Sequence, residues 1–442
     1  MPGATQDASA TTTGSTSTIT IGSTTTGSST ATGTGGSGGA PVQPCPNRPG
    51  WETWDDYAPG CSLCVPASPA ALPPPIVWEP CDPKSGLASG CQQMKIDWEY
   101  FDSAFAYPVS MDVQSDGQVL LSFTRISEKA GKGYRMLIVA AAEGPVVSAM
   151  VDDQDFPSKG CTFGRSDRVT LKQGKHIFFV WPDEMSAEGF DEAAVGGDMN
   201  ELHPKALWSW PKSPGYDFTA SDILWASGSG YDLGVAKWGE PWSIVLTSAQ
   251  IGLQIGNLRA FHDLVHFEAS DGIYAGVMTY TPSAGVQDLI TFPGDYSRGV
   301  MGFGTDGIDM VWMYGEGKGP TFLEPYPTRS VMVAPFTTDA AAVAPTRLRS
   351  FPSAVYPLQF AVGCGYAAVE MESNQILVVR LSDGWAWQLA APPVDGGALD
   401  QFRFGTVYGL TCDELWLRAG VGVAMNVARV KLSDLGPGIP PD

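Results

Sequence analysis

Basic residues and histidine are in short supply in this sequence. Lys and Arg together number 26 against 47 Asp and Glu, and histidine occurs four times in 442 residues, giving a formal charge of −21 at pH 7. A field of that sign repels phosphate backbones and anionic lipid, so neither nucleic acid nor a membrane surface is expected as a partner. Four histidines leave few candidates for imidazole catalysis, and no Gly-x-Ser-x-Gly elbow between a strand and a helix pattern accompanies them, Gly35 to Gly39 being part of a Ser/Thr/Gly run. Gly228-Ser229-Gly230 is a glycine-rich turn and nothing more. No apolar run reaches the roughly 18 residues that a transmembrane helix needs. Met1 to Ala10 have neither the basic region nor the apolar stretch of a signal peptide.

Cysteine, proline and glycine are what the chain does have. The cysteines are Cys45, Cys61, Cys64, Cys81, Cys91, Cys161, Cys364 and Cys412, five of them within a Pro-rich stretch. An even number clustered in this way reads as disulfides in an oxidising compartment, extracellular or in a cell envelope, with an export signal upstream of Met1 or already removed. Zinc is the rival reading, but Cys61-x-x-Cys64 is the only C-x-x-C and has no histidine nearby. The pairings Cys81 with Cys91 and Cys364 with Cys412 are guesses at this point.

Three zones follow from composition. Residues 1–40 are a Ser/Thr/Gly tether with Asp7 as its only charge; such a segment cannot bury enough apolar surface to offset the entropy of ordering it. Residues 41–95 hold twelve prolines and the clustered cysteines, and are expected to form a small disulfide-stapled collar. Residues 96–437 are short apolar runs broken by Gly, Asp and Pro. Four of these runs carry Asp-Gly preceded by Ser or Thr, at Asp116, Asp271, Asp306 and Asp383. Asp-Gly between β-rich runs predicts type I′ hairpins, and the recurrence hints at one structural place in a repeat. The spacings suit a unit of roughly forty residues, with breaks near 155, 214, 254, 298, 353 and 396. Pro182–Glu201 departs from the pattern with seven acids and no base, and reads as an inserted loop with a short helix over 183–194.

On this repeat texture the main domain resembles the β-propeller superfamily. The fold class expected is all-β, a propeller of about seven four-stranded blades, with six or eight fitting as well. No Gly-His…Trp-Asp pair and no kelch pattern of glycine doublets occurs. Ser382-Asp383-Gly384 before Trp387, and Asp232-Leu233-Gly234 before Trp238, resemble degenerate Asp-box turns of sialidase-type propellers, without their spacing. No arginine triad or Tyr/Glu pair goes with them, so sialidase activity does not transfer. The tether and Cys/Pro zone are similar to those of secreted proteins and lipid-anchored surface proteins of Gram-negative bacteria.

The candidate ligand-binding residues are tryptophans, fourteen in number. Trp208 with Trp210 and Trp385 with Trp387 are i, i+2 pairs, so each pair points to one face of its strand. Trp238 and Trp242 flank a Gly-Glu-Pro turn. Exposed, such rings stack on sugars or anchor peptides; buried, they fill the space between blades. His262 and His266 are four apart on a strand, about 13 Å, which is too far to share one metal ion. Asp152, Asp153 and Asp155, like Asp306 and Asp309, match no calcium-loop spacing; no cofactor is expected, and calcium is left without a motif. The functional expectation is an exported module that binds a polysaccharide, peptide or protein. The alternative is a carboxylate-dependent hydrolase or lyase with its site in a central channel. A third reading is an envelope spacer without a ligand.

Overall fold

The computed structural model describes Cys45 to Pro441 apart from residues 46–48, 59–60, 88–89, 96–109, 115, 128–133, 153–168, 173–174, 181–190, 199–205, 212–214, 220–222, 228–231, 238–242, 262, 271–274, 291–297, 317–327, 353–356, 372–374, 391–401 and 422–423. The tether 1–40 therefore lies outside the described residues. Val42–Asp442 forms one compact unit.

Strands dominate, and every described pairing between them is antiparallel. The N-terminal strands are β1 (Trp51–Ala58), β2 (Cys61–Pro66), β3 (Val77–Pro80) and β4 (Cys91–Lys95). A first group follows: β5 (Ser110–Val113), β6 (Val119–Ser127), β7 (Tyr134–Ala141) and β8 (Val146–Asp152). The second holds β9 (Val169–Lys172), β10 (Lys175–Val180), β11 (Asp191–Asp198) and β12 (Ala206–Pro211). The third holds β13 (Gly215–Phe218), β14 (Ile223–Ser227), β15 (Leu233–Lys237) and β16 (Ser243–Leu246), and a single helical turn, α1 (Ser248–Ile251), leads out of it. The fourth holds β17 (Gln254–Phe261), β18 (Leu264–Ser270), β19 (Ala275–Thr281) and β20 (Gly285–Ile290). The fifth holds β21 (Arg298–Thr305), β22 (Asp309–Glu316), β23 (Thr328–Pro335) and β24 (Thr346–Pro352). The sixth holds β25 (Pro357–Gly363), β26 (Tyr366–Met371), β27 (Gln375–Arg380) and β28 (Ala386–Leu389). The last holds β29 (Phe402–Leu410), β30 (Glu414–Val421) and β31 (Ala424–Lys431). Within each group consecutive strands are neighbours. The fourth and fifth groups also touch through one pair, Ala275 with Val300. No helix among the described residues is long and apolar enough to cross a membrane.

The period of two explains how the groups stack. In β27, Ile376 and Val378 pack with Phe402, Phe404 and Leu417 of the last group. Their neighbours Leu377 and Val379 pack with Val311, Met313 and Val331 of the fifth. Alternate side chains thus bury both faces of one sheet between two others, which is why QILVVR is almost wholly apolar rather than alternating. The same logic joins the third group to the fourth through Trp225 and Phe267. Val277 and Trp312 join the fourth to the fifth. Leu121 and Ile138 of the first group share a core with Trp416 and Val427 of the last.

The Cys/Pro zone does not keep to itself. β4 pairs with β31, Gln93 opposite Ala428, and β3 pairs with β4. β2 meets β8 at Cys64 and Val151. The strands of 51–95 are thus hydrogen-bonded into the outer edges of the first and last groups.

Three disulfides link described residues: Cys45–Cys64, Cys81–Cys91 and Cys364–Cys412. The side chain of Cys61 and the whole of Cys161 lie outside the described residues.

Two expectations are corrected. Residues 191–194, assigned above to a helix, belong to β11, which is central between β10 and β12; pairing on both edges overrides the acidic composition. Residues 183–190 fall outside the described part. The three described Asp-Gly turns, at Asp116, Asp306 and Asp383, are neither type I′ nor all at one place in a repeat. Gly117, Gly307 and Gly384 have φ of 86°, 85° and 74°, but Cys364 is the one described non-glycine residue with positive φ. The aspartates instead accept backbone amides, Asp306 from Ile308 and Asp309 at 2.9 Å each, Asp116 from Gln118 at 2.9 Å and Asp383 from Trp385 at 3.1 Å. These are side-chain-braced turns. They fall between the first and second strands at Asp116 and Asp306, and between the third and fourth at Asp383. Asp271 lies outside the described residues, between β18 and β19. Among the described residues, the turn with φ positive at both central residues is Cys364-Gly365, at 50° and 77°.

Candidate functional site

One cavity of about 2420 Å³ is lined by the first strand of every group. Met111 comes from β5, Leu171 from β9, Asp217 from β13, Arg259 from β17, Phe303 from β21, Phe360 from β25 and Tyr408 from β29. Sheets stacked face to face, each giving its first strand to a common cavity, with the last packed on the first, form a closed ring. The fold is a β-propeller.

The inner strands of the propeller are stitched by polar contacts. The Leu171 amide donates to Ser110 Oγ at 3.1 Å. Lys172 Nζ lies 2.7 Å from Asp217 Oδ2 and donates to the Ala260 carbonyl at 2.7 Å, while the Ala260 amide donates to the same carboxylate oxygen at 2.7 Å. Three consecutive inner strands therefore meet on one ion pair. Elsewhere the approach is apolar: Gly302 and Gly304 of β21 lie directly against Phe360 of β25.

The lining mixes signs. Glu268 faces the cavity with its pKa raised by burial, an effect opposed by a hydrogen bond from Asn257 and by the charge of Arg259. Glu414 is likewise raised, first by burial and then by Glu143, with Arg429 pulling the other way. At the rim, apolar side chains reach solvent: Ile308 on the β21–β22 turn is 73% exposed and Val113 at the end of β5 is 41% exposed. Among the described residues no group of three or more His, Cys, Asp or Glu is placed to hold a metal ion.

Comparison with known proteins returns no matching family model and no matching curated protein. Solved structures do match. A prolyl endopeptidase shares 12% identity over 76% of this chain at a TM-score of 0.48, and this chain spans only 48% of that one. YCF48 bound to a D1 peptide shares 10% identity over 82% of this chain and 98% of its own, at 0.44. BamB from Moraxella catarrhalis shares 10% over 78% of this chain and 92% of its own, at 0.37. Identities and scores this low leave function to the geometry of this propeller's own side chains.

The predicted site residues are distributed as follows. Trp385 immediately precedes β28 and Trp387 lies on it; both are half-buried, and both indoles face Gly438 in the segment after β31. Trp387 also borders the cavity, donates to the Gly436 carbonyl at 3.2 Å and lies under the Arg380 guanidinium at 5.7 Å. Trp208 and Trp210 are on β12, but their side chains are outside the description, as are Trp238 and Trp242 altogether. His266, expected to be a polar side chain on a half-buried strand, is fully buried among Phe261, Phe303 and Phe336. His262, Asp153 and Asp155 lie outside the described residues. Lys172, Glu268, Arg429 and the rim residues Val113 and Ile308 were not singled out from sequence. Lys172 takes its partner Asp217 from another group, Arg429 pairs with Glu143 of the first group, and Glu268 meets Asn257 on the neighbouring strand of its own group; no local spacing announces these contacts.

Proposed function

We propose that this chain is an exported, seven-bladed propeller that works as a binding module, taking a peptide or protein segment at the mouth of its central cavity. The blade count is supported by seven inner strands on one cavity, with β4 from the N-terminal zone supplying the fourth strand beside β31. The three disulfides support an oxidising location, extracellular or in the cell envelope. Residues 1–40 are proposed as the tether on which the propeller is presented.

The observation that carries the binding reading is the rim. Exposed Ile308 and Val113 beside a mixed-charge lining offer apolar anchors ringed by polar groups, the anatomy of a protein-binding hot spot. The cavity carboxylates Asp217, Glu143 and Glu414 are already matched by Lys172 or Arg429, which suits recognition more than acid–base work. Partner capture on the immobilised intact protein, with glycan arrays in parallel, tests this. A partner retained by the parent and lost from an Ile308→Asp, Val113→Asp variant of unchanged thermal stability is the expected result. Equal retention by both would contradict it, and glycan binding in place of protein binding would reassign the ligand.

A second reading rests on Glu268 alone. A cavity carboxyl whose pKa is raised by burial is the kind of group a glycosidase or lyase uses as its acid. Turnover of a polysaccharide panel that disappears in Glu268→Gln would favour it.

A further inference from the structure

The edge of β28 is occupied by the protein's own chain. Ile439 forms an isolated antiparallel bridge with Ala386: its amide donates to the Ala386 carbonyl at 2.6 Å, and its carbonyl accepts the Ala386 amide at 3.0 Å. Arg349 Nη1 donates to the carbonyls of Ile439 at 3.3 Å and Pro440 at 3.0 Å. The Trp387 indole donates to the Gly436 carbonyl at 3.2 Å. Each of these polar contacts is made to the backbone of the segment.

We propose that this edge, with Trp385, Trp387 and Arg349, is a recognition groove for extended peptides carrying Pro-Gly-x-Pro, and that Pro437-Gly438-Ile439-Pro440 is its resident occupant. The chemistry sets the motif. Proline has no N–H, so Pro437 and Pro440 leave no donor stranded where the pairing with β28 stops. A Cβ on Gly438 would overlap Trp385 Nε1 and come within 2.9 Å of Trp387 Nε1, so only glycine fits between the indoles. Ile439 is 40% exposed, so the x position is not read. Strand addition supplies orientation and the aromatic platform supplies contact, a combination of two known modes of peptide recognition. Arg349 is buried at 9% exposure, so its donors are pre-positioned and shielded from competing water. The proposal does not rest on the cavity reading.

The resident segment competes as an intramolecular ligand and masks the groove in the intact protein. Gly438→Val in the full chain evicts it by steric conflict. A fluorescein-labelled peptide Gly-Pro-Gly-Ile-Pro-Pro is then titrated by anisotropy against the parent, against Gly438→Val and against a chain ending at Leu435, each checked for cooperative unfolding. The expected result is saturable binding to either opened form, at least tenfold tighter than to the parent. Binding should fall at least tenfold when the central glycine of the peptide is alanine, or when Arg349→Gln is added. No saturable binding to a folded, opened form would overturn the proposal, as would equal binding of the glycine and alanine peptides. Failure of both opened forms to fold would overturn it too, because the segment would then be core and not occupant.

Discussion

Arg429 on β31 and Glu143 in the β7–β8 turn form an ion pair with Nη1 and Oε1 2.5 Å apart, across the junction where the last and first strand groups meet. Glu143 is 69% exposed, so the pair by itself is worth little, at most about 1 kcal/mol. More is held by the guanidinium plane, which lies 4.6 Å from the Trp78 ring centroid and 5.6 Å from that of Trp416, and donates to Gln92 at 2.8 Å. Glu143→Gln should cost less than about 1 kcal/mol, and Arg429→Ala about 2 kcal/mol or more. Arg429→Lys should not restore the loss, since an ammonium cannot stack as the planar fork does. Urea unfolding of the three variants checks the order.

Burial among phenylalanine rings pushes the His266 pKa from its ordinary 6.5 down to about 4, and neither ring nitrogen has a hydrogen-bond partner among the described residues. The neutral form is the folded one. Between the two pKa values the unfolded chain binds the extra proton, so stability is full above about 6.5, falls as pH drops and levels off below about 4. The total loss is on the order of 3 kcal/mol. His266→Phe should remove that dependence and match or exceed the parent at pH 7. Unfolding free energies at steps between pH 4 and pH 7 read it directly.

Cys364 and Cys412 join the β25–β26 turn to the β29–β30 turn over a separation of 48 residues. Closing a loop of that length in the unfolded chain is worth about 4 kcal/mol in the entropic account. A Cys364→Gly, Cys412→Ala variant should lose somewhat less, because glycine suits the left-handed φ of 50° that Cys364 holds. A chemical denaturation midpoint unchanged from the parent would contradict this.

Among the described glycines of the inner strands, Gly302 leaves the least room for a side chain. A Cβ there would overlap Phe360 Cε2. Gly302→Val should therefore displace the ring and cost about 1–3 kcal/mol by overpacking. The double variant Gly302→Val, Phe360→Ala should recover part of that cost, which a double-mutant cycle in urea would measure.

Much of the ring was legible in the sequence because its units are local. The breaks expected near 155, 214 and 396 fall between strand groups, 254 and 298 are the first residues of β17 and β21, and 353 directly follows β24. Each unit is a set of short apolar runs divided by turn residues, and that texture survives divergence. Ring closure was not legible. β4 lies in a Pro-rich stretch that reads as collar, and its partner β31 is over three hundred residues away. The turn chemistry was misjudged for a local reason: Asp-Gly supports braced turns with one positive φ as readily as type I′ hairpins. The pairing of Lys172 with Asp217 and the stack of Arg429 on Trp78 join different groups, so no spacing within one group reveals them.

Closure of the ring rests on the N-terminal strand β4 completing the last group beside β31. Gln93 and Ala428 face each other in that pairing. A Gln93→Cys, Ala428→Cys variant, oxidised under native conditions and mapped by mass spectrometry, should yield a peptide cross-linked between the two introduced thiols. A folded protein in which those two thiols stay unlinked, or in which the thiol introduced at position 93 links elsewhere, would contradict the closed ring.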